Sequence, residues 1–75
     1  MRPYENLSGK SGVTAYQIGD TFIIVEFRDG STYAYTNTTT GISNIEIMKR
    51  LALKGSGLST FISRHVKDKY AEKLR

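Results

Sequence analysis

The sequence contains no cysteine, so neither a disulfide nor a thiolate-bound metal can supplement its core. The same absence removes any positive sign of an oxidising compartment. His65 is the sole histidine, too few for a zinc cage built from imidazoles and carboxylates. Long apolar runs are missing too: Phe22-Ile23-Ile24-Val25 is the longest, far short of the ~20 residues that span a bilayer. The opening residues Met1-Arg2-Pro3-Tyr4-Glu5-Asn6 lack the apolar centre of a signal peptide. The glycosylation sequons at Asn6-Leu7-Ser8 and Asn37-Thr38-Thr39 are accordingly read as chance matches, and the location as cytoplasmic.

What remains is 75 residues, 39% apolar and 24% charged, the composition of a globular protein. Such a length allows one domain. It buries only about 60% of the surface its unfolded form exposes, so ordinary apolar packing must supply a marginal core. The net charge of +4 is unevenly distributed. Residues 1–48 carry Arg2, Lys10 and Arg28 against Glu5, Asp20, Glu26, Asp29 and Glu46, a net −2. Residues 49–75 carry Lys49, Arg50, Lys54, Arg64, Lys67, Lys69, Lys73 and Arg75 against Asp68 and Glu72, a net +6. Such asymmetry suggests an anionic partner for the C-terminal part, or simply a solvated helical surface.

Residues 1–12, with Ser8-Gly9-Lys10-Ser11-Gly12, show no hydrophobic period and read as a flexible lead-in to a single domain over 13–75. From Val13 onward, β-branched and aromatic residues are punctuated by turns. Strands are predicted over Val13–Ile18, Thr21–Phe27 and Ser31–Thr36, with turns at Gly19-Asp20 and Arg28-Asp29-Gly30. The second turn decides which side chains share a face. A two-residue Asp29-Gly30 loop pairs Ile24 with Tyr35 and puts the tyrosines opposite Ile23, Val25 and Phe27. A three-residue loop, with Gly30 left-handed as a bulge, pairs Val25 with Tyr33 and Ile23 with Tyr35. The bulged turn is preferred because it gathers five large side chains on one face, and burial selects register. Phe22 and Ile24 are left on the other face without an assigned partner.

After a polar, Thr-rich connector over 36–41, Ser43 and Glu46 have the spacing of a helix-initiating capping box. Ile45, Ile47, Met48, Leu51 and Ala52 fall in one arc, and Glu46, Lys49, Arg50 and Lys54 in the opposite one. Gly55 is placed to end this helix in a left-handed cap. A second helix is expected from an N-cap near Ser59, with Ile62, Val66, Tyr70 and Leu74 as its stripe and a bend between His65 and Lys69. The plan is therefore α+β: a three-stranded antiparallel meander followed by two helices on one face.

Chemistry-bearing patterns are sparse. Gly9-Lys10-Ser11 resembles the end of a P-loop, but Tyr4 stands where that motif needs glycine and a strand follows where it needs a helix. One histidine establishes no triad, and the carboxylates are scattered singly, so neither an enzyme nor a cofactor is expected. Tyr33-Ala34-Tyr35 is more informative, because its two rings project to the same side of a strand. On an open face they would stack on unpaired bases. Under a helix they are core, and the preferred register favours that role for their rings. Lys49, Arg50 and Lys54, followed by Arg64, Lys67 and Lys69, form a phosphate-contacting patch if both helices present them outward.

The run Ile23-x-Val25-x-Phe27-x-x-Gly30-x-x-Tyr33-x-Tyr35 resembles the centre of the KTSC domain, marked by a Tyr-x-Tyr motif. Gly55-Ser56-Gly57-Leu58, Phe61-Ile62-Ser63-Arg64-His65-Val66 and Tyr70 resemble its C-terminal segment, so the likeness covers about residues 10–72. That family is named for an appendage of some lysyl-tRNA synthetases and includes small stand-alone bacterial proteins. Its function is not established, though RNA binding has been suggested from that context. The resemblance implies Tyr33 and Tyr35 as the motif tyrosines, with Phe61, Arg64 and Tyr70 in the later pattern. The polar Thr-rich connector departs from the apolar, often Pro-containing helix entry of that family.

Charge and resemblance together give an expectation of a small binding module for RNA or another polyanion. Its candidate contacts are Lys54, Arg64, Lys67 and Lys69 to phosphates, with Tyr33 or Tyr35 as stacking groups. The alternative is a protein-interaction module, self-association included, through an exposed strand or through Phe22 and Ile24. Neither a membrane nor a small-molecule substrate is inferred.

Overall fold

A computed structural model describes residues 1–75. The chain is α+β: an antiparallel sheet of five strands in the order β1-β2-β3-β4-β5, with helices packed on one face. The three predicted strands are its middle, β2 (Val13–Ile18), β3 (Phe22–Phe27) and β4 (Thr32–Thr36). The outer two, β1 (Arg2–Pro3) and β5 (Glu72–Lys73), lie outside the predicted meander.

The β3–β4 hairpin adopts the bulged register. Ile23 faces Tyr35 and Val25 faces Tyr33 across the pair. The Phe27 amide donates to Ser31 O at 2.8 Å and the Gly30 amide to Phe27 O at 2.9 Å, enclosing a three-residue loop. Gly30 takes φ +90°, a conformation a side chain resists, so the glycine sets the loop length and the loop length sets the face. Ile23, Val25 and Tyr35 are consequently buried, with Phe27 and Tyr33 half-buried beside them. Phe22 finds a partner within its own turn, because its ring occupies the space a side chain at Gly19 would fill.

In β2 a bulge between Val13 and Ala15 explains why Val13 and Tyr16, three residues apart, both point into the core. The lead-in is part of this framework. Arg2 pairs with Tyr16 and Pro3 with Ala15, and the edge position of β1 accommodates proline's missing N–H. Tyr4 donates its amide to Thr14 O at 3.0 Å, and Leu7 donates to Gly55 O at 2.8 Å. The Tyr4 side chain is only 6% exposed, and its hydroxyl accepts the Leu58 amide proton at 3.3 Å.

The connector is itself helical. Thr36 caps α1 (Asn37–Thr40) by accepting the Thr39 amide at 3.2 Å, and Gly41 joins it to α2 (Ile42–Lys54). The Ser43 capping box does not form, because α2 begins at Ile42 behind Gly41 and no side chain caps it. Ile45, Met48 and Ala52 are its buried residues, and each large aliphatic side chain so buried is worth about 1.5–3 kcal/mol. Gly55 ends α2 at φ +79°, as its position predicted.

Helix α3 (Leu58–Phe61) starts one residue before Ser59, with Gly57 at the N-cap position, and runs into a π-helical turn over Ile62–Val66. The helix stops there, so only Ile62 and Val66 of the predicted stripe are buried. Tyr70 and Leu74 lie beyond it and are exposed.

Candidate functional site

The turn from β3 into β4 and the π-helical turn face each other across an open groove of about 620 Å³. Phe27, Tyr33 and Tyr35 line the sheet side, Ser59, Ile62, Ser63 and Lys67 the helical side, and Tyr70 follows on the segment returning to the sheet. Arg28, Asp29 and Asp68 add charge to the lining. The volume lies within the ~300–1,000 Å³ range of ligand-binding clefts.

The aromatic rings meet edge to face or tilted rather than in parallel stacks. Tyr33 and Tyr70 are 4.8 Å apart between centroids at 62°, Phe27 and Tyr33 5.8 Å at 79°, and Tyr35 and Tyr70 6.4 Å at 88°. Lys73 Nζ lies 5.8 Å from the centre of the Tyr33 ring, within cation–π range. Burial pushes the Tyr35 phenol up to about 12, and the neighbouring Tyr33 and Tyr70 phenols reinforce the shift. Asp29 is held below the usual carboxylate range chiefly by the Ser31 hydroxyl, which donates to Oδ1 at 2.6 Å, and then by the Ser31 amide at 2.9 Å. It is an ionised carboxylate whose first duty is to the turn.

Of the six residues predicted from sequence, the groove gathers Tyr33, Tyr35 and Lys67, while Lys54, Arg64 and Lys69 sit outside its lining at exposed positions. Tyr35 is corrected as a stacking group. At 2% exposure its ring belongs to the core and presents no free face to a base. Tyr33 is half-buried between Phe27, Tyr70 and Lys73. Lys49 is also corrected as an outward-facing cation: its ammonium donates to Asp20 O at 2.9 Å and pairs with Glu46 at 3.4 Å. That is the molecule's single salt bridge, so Arg50, Lys54, Arg64, Lys67, Lys69, Lys73 and Arg75 are exposed and free of a carboxylate partner.

Sequence reasoning passed over Arg28 and Lys73. Arg28 looked like a turn residue; its guanidinium donates to Ser11 O at 3.0 Å, which anchors it at the groove's sheet side. Lys73 reaches Tyr33 only because the chain returns to the sheet as β5, directly opposite that residue. Neither residue carries a signal in its local sequence.

Elsewhere, the outer edges of the predicted meander are each paired over two residues by an end of the chain. β1 covers β2, and β5 covers β4 with Ala71 N donating to Ala34 O at 2.7 Å and Leu74 N to Thr32 O at 2.7 Å. His65 is exposed and its ring lies 4.8 Å from that of Phe61. No helix is long and apolar enough to cross a membrane. No family model, curated protein or solved structure matches the chain.

Proposed function

We propose that the chain is a cytoplasmic, non-enzymatic module that binds RNA through phosphate contacts from its basic C-terminal third. The observation that carries this reading is the set of seven exposed lysines and arginines after residue 49 with no carboxylate partner. Unpaired surface cations release counterions from a nucleic-acid backbone without first breaking an internal ion pair. The KTSC resemblance of the Tyr33-x-Tyr35 strand and of the segment from Gly55 to Tyr70 supports the same reading, through that family's tie to tRNA synthetases.

Titrating fluorescent tRNA and single-stranded RNA over a salt series tests it. Binding should weaken steeply with salt, and Lys67→Glu with Lys69→Glu should lower low-salt affinity by about tenfold or more and flatten the salt slope. Absence of binding at low salt, or indifference to the double substitution, removes the reading.

Self-association is a second reading, through an exposed strand or through Phe22 and Ile24, both half-buried. Sedimentation at high protein concentration decides it, since a strict monomer rules it out.

A further inference from the structure

A second hollow adjoins the aromatic groove. Asp29, Gly30, Ser31, Lys73 and Arg75 line it, so the two share Asp29 and Ser31 as a common wall. One compartment is aromatic and the other sets two cationic side chains, Lys73 and Arg75, beside Asp29, which forms a salt bridge with neither. We infer that the pair forms a bipartite seat for one unpaired nucleotide of a single strand, its base in the groove against Tyr70 and its phosphate over Lys73 and Arg75. This rests on the nucleic-acid reading above and deepens it, from a diffuse electrostatic surface to a built subsite.

Three observations fix this orientation. First, the groove's lining carries two cations, Arg28 and Lys67, and two carboxylates, Asp29 and Asp68, so it has no net surplus of positive charge although none of the four is ion-paired. The adjoining hollow sets Lys73 and Arg75 against the shared Asp29, a surplus of one positive side chain. A phosphate therefore belongs on that side of the common wall. Second, the aromatic walls are built at unequal depth. Tyr35 is sealed, Tyr33 is half-buried, and Tyr70 is 38% exposed, which makes it the ring with surface left to offer a base. Base–aromatic stacking needs one accessible π-face and tolerates any base. Third, Lys73 already lies against the Tyr33 ring, so the cationic and aromatic halves are held in contact rather than joined by a flexible side chain in open solvent. A paired base in a duplex cannot enter such a groove, because its faces are covered by its stacked neighbours. The seat therefore selects unpaired strands over duplexes of the same charge.

The test compares full-length protein binding to a labelled oligouridylate and to an RNA duplex with the same number of phosphates at low salt, by fluorescence anisotropy. The wild type should favour the single strand by about tenfold. Ser63→Trp, at an exposed position lining the helical wall, fills the groove without changing charge or core. It should bring single-strand affinity down to the duplex level and leave duplex affinity unchanged. Tyr70→Ala is the second variant, with circular dichroism to establish that each variant is folded, and it should do the same. Equal affinity of the wild type for both RNAs, or a single-strand preference that survives both variants, overturns the nucleotide seat and leaves the electrostatic reading standing. Failure of the wild type to bind either RNA overturns both.

Discussion

Each end of the chain adds a two-residue strand to an edge of the meander, Arg2–Pro3 beside β2 and Glu72–Lys73 beside β4, and each sets a tyrosine close by. The two tyrosines meet different fates. Tyr4 is driven between sheet and helix, where its ring joins the core cluster and its hydroxyl satisfies the buried Leu58 amide at the start of α3. Tyr70 stays at the mouth of a groove, and every residue from Lys67 to Arg75 is exposed. The N-terminal end is thus structural and the C-terminal end available, although both complete the sheet. Hydrogen-bonding an edge does not by itself make a segment part of the core; what its side chains displace from water decides that.

The comparison breaks most visibly under truncation. Tyr4→Ala should cost about 3–4 kcal/mol, the scale of emptying a buried aromatic site, and it also strands the Leu58 amide. Tyr70→Ala should cost less than about 1 kcal/mol. Urea midpoints of the two variants check this, and equal losses would mean that both ends belong to the core. A smaller effect sharpens the same contrast. Gly55 and Gly30 both have φ near the left-handed region, +79° and +90°, but a side-chain carbon at Gly55 would stand 2.6 Å from Glu5 Cβ, and one at Gly30 would meet open space. Gly55→Ala should therefore lose roughly 2 kcal/mol and Gly30→Ala roughly 1, read from the same unfolding curves. A further contrast is alkaline. Tyr35's folded value is raised from 10.0 to about 12, so the neutral phenol stabilises the fold fully below pH 10. That contribution is lost as pH rises from about 10 to 12, and Tyr35→Phe should flatten the decline in thermal midpoint over this window.

The meander's hairpin was legible because two independent signals agreed. Asp29-Gly30 marked the turn, and only one register put Ile23, Val25, Phe27, Tyr33 and Tyr35 on one face. The end of α2 was legible for a similar reason, with an apolar arc running up to Gly55. What escaped were elements too short to carry a period. A two-residue strand has no alternation to read, so β1 and β5 were invisible, and Tyr4 stood alone in a polar run. The helical turn α1 is built from threonines, which favour helices poorly, and forms because Thr36 caps it. That extra turn also shifted the start of α2 away from Ser43. At the groove, the two tyrosines and Lys67 came from pattern and charge. Arg28 and Lys73 were placed by a turn and a returning strand that tertiary contact creates.

Thr40 shapes how the C-terminal segment can move. Its side chain is buried between α1 and the returning chain, and its hydroxyl donates to Lys69 O at 2.6 Å. Beyond that clasp the chain is held by amides donated to Ala34 and Thr32 along one side of β4. Peeling of β5 would therefore hinge at Lys69 rather than at the end of the π-helical turn. Such a swing would carry Tyr70 of the groove together with Lys73 and Arg75 of the adjoining hollow, so the two compartments share one wall-bearing segment.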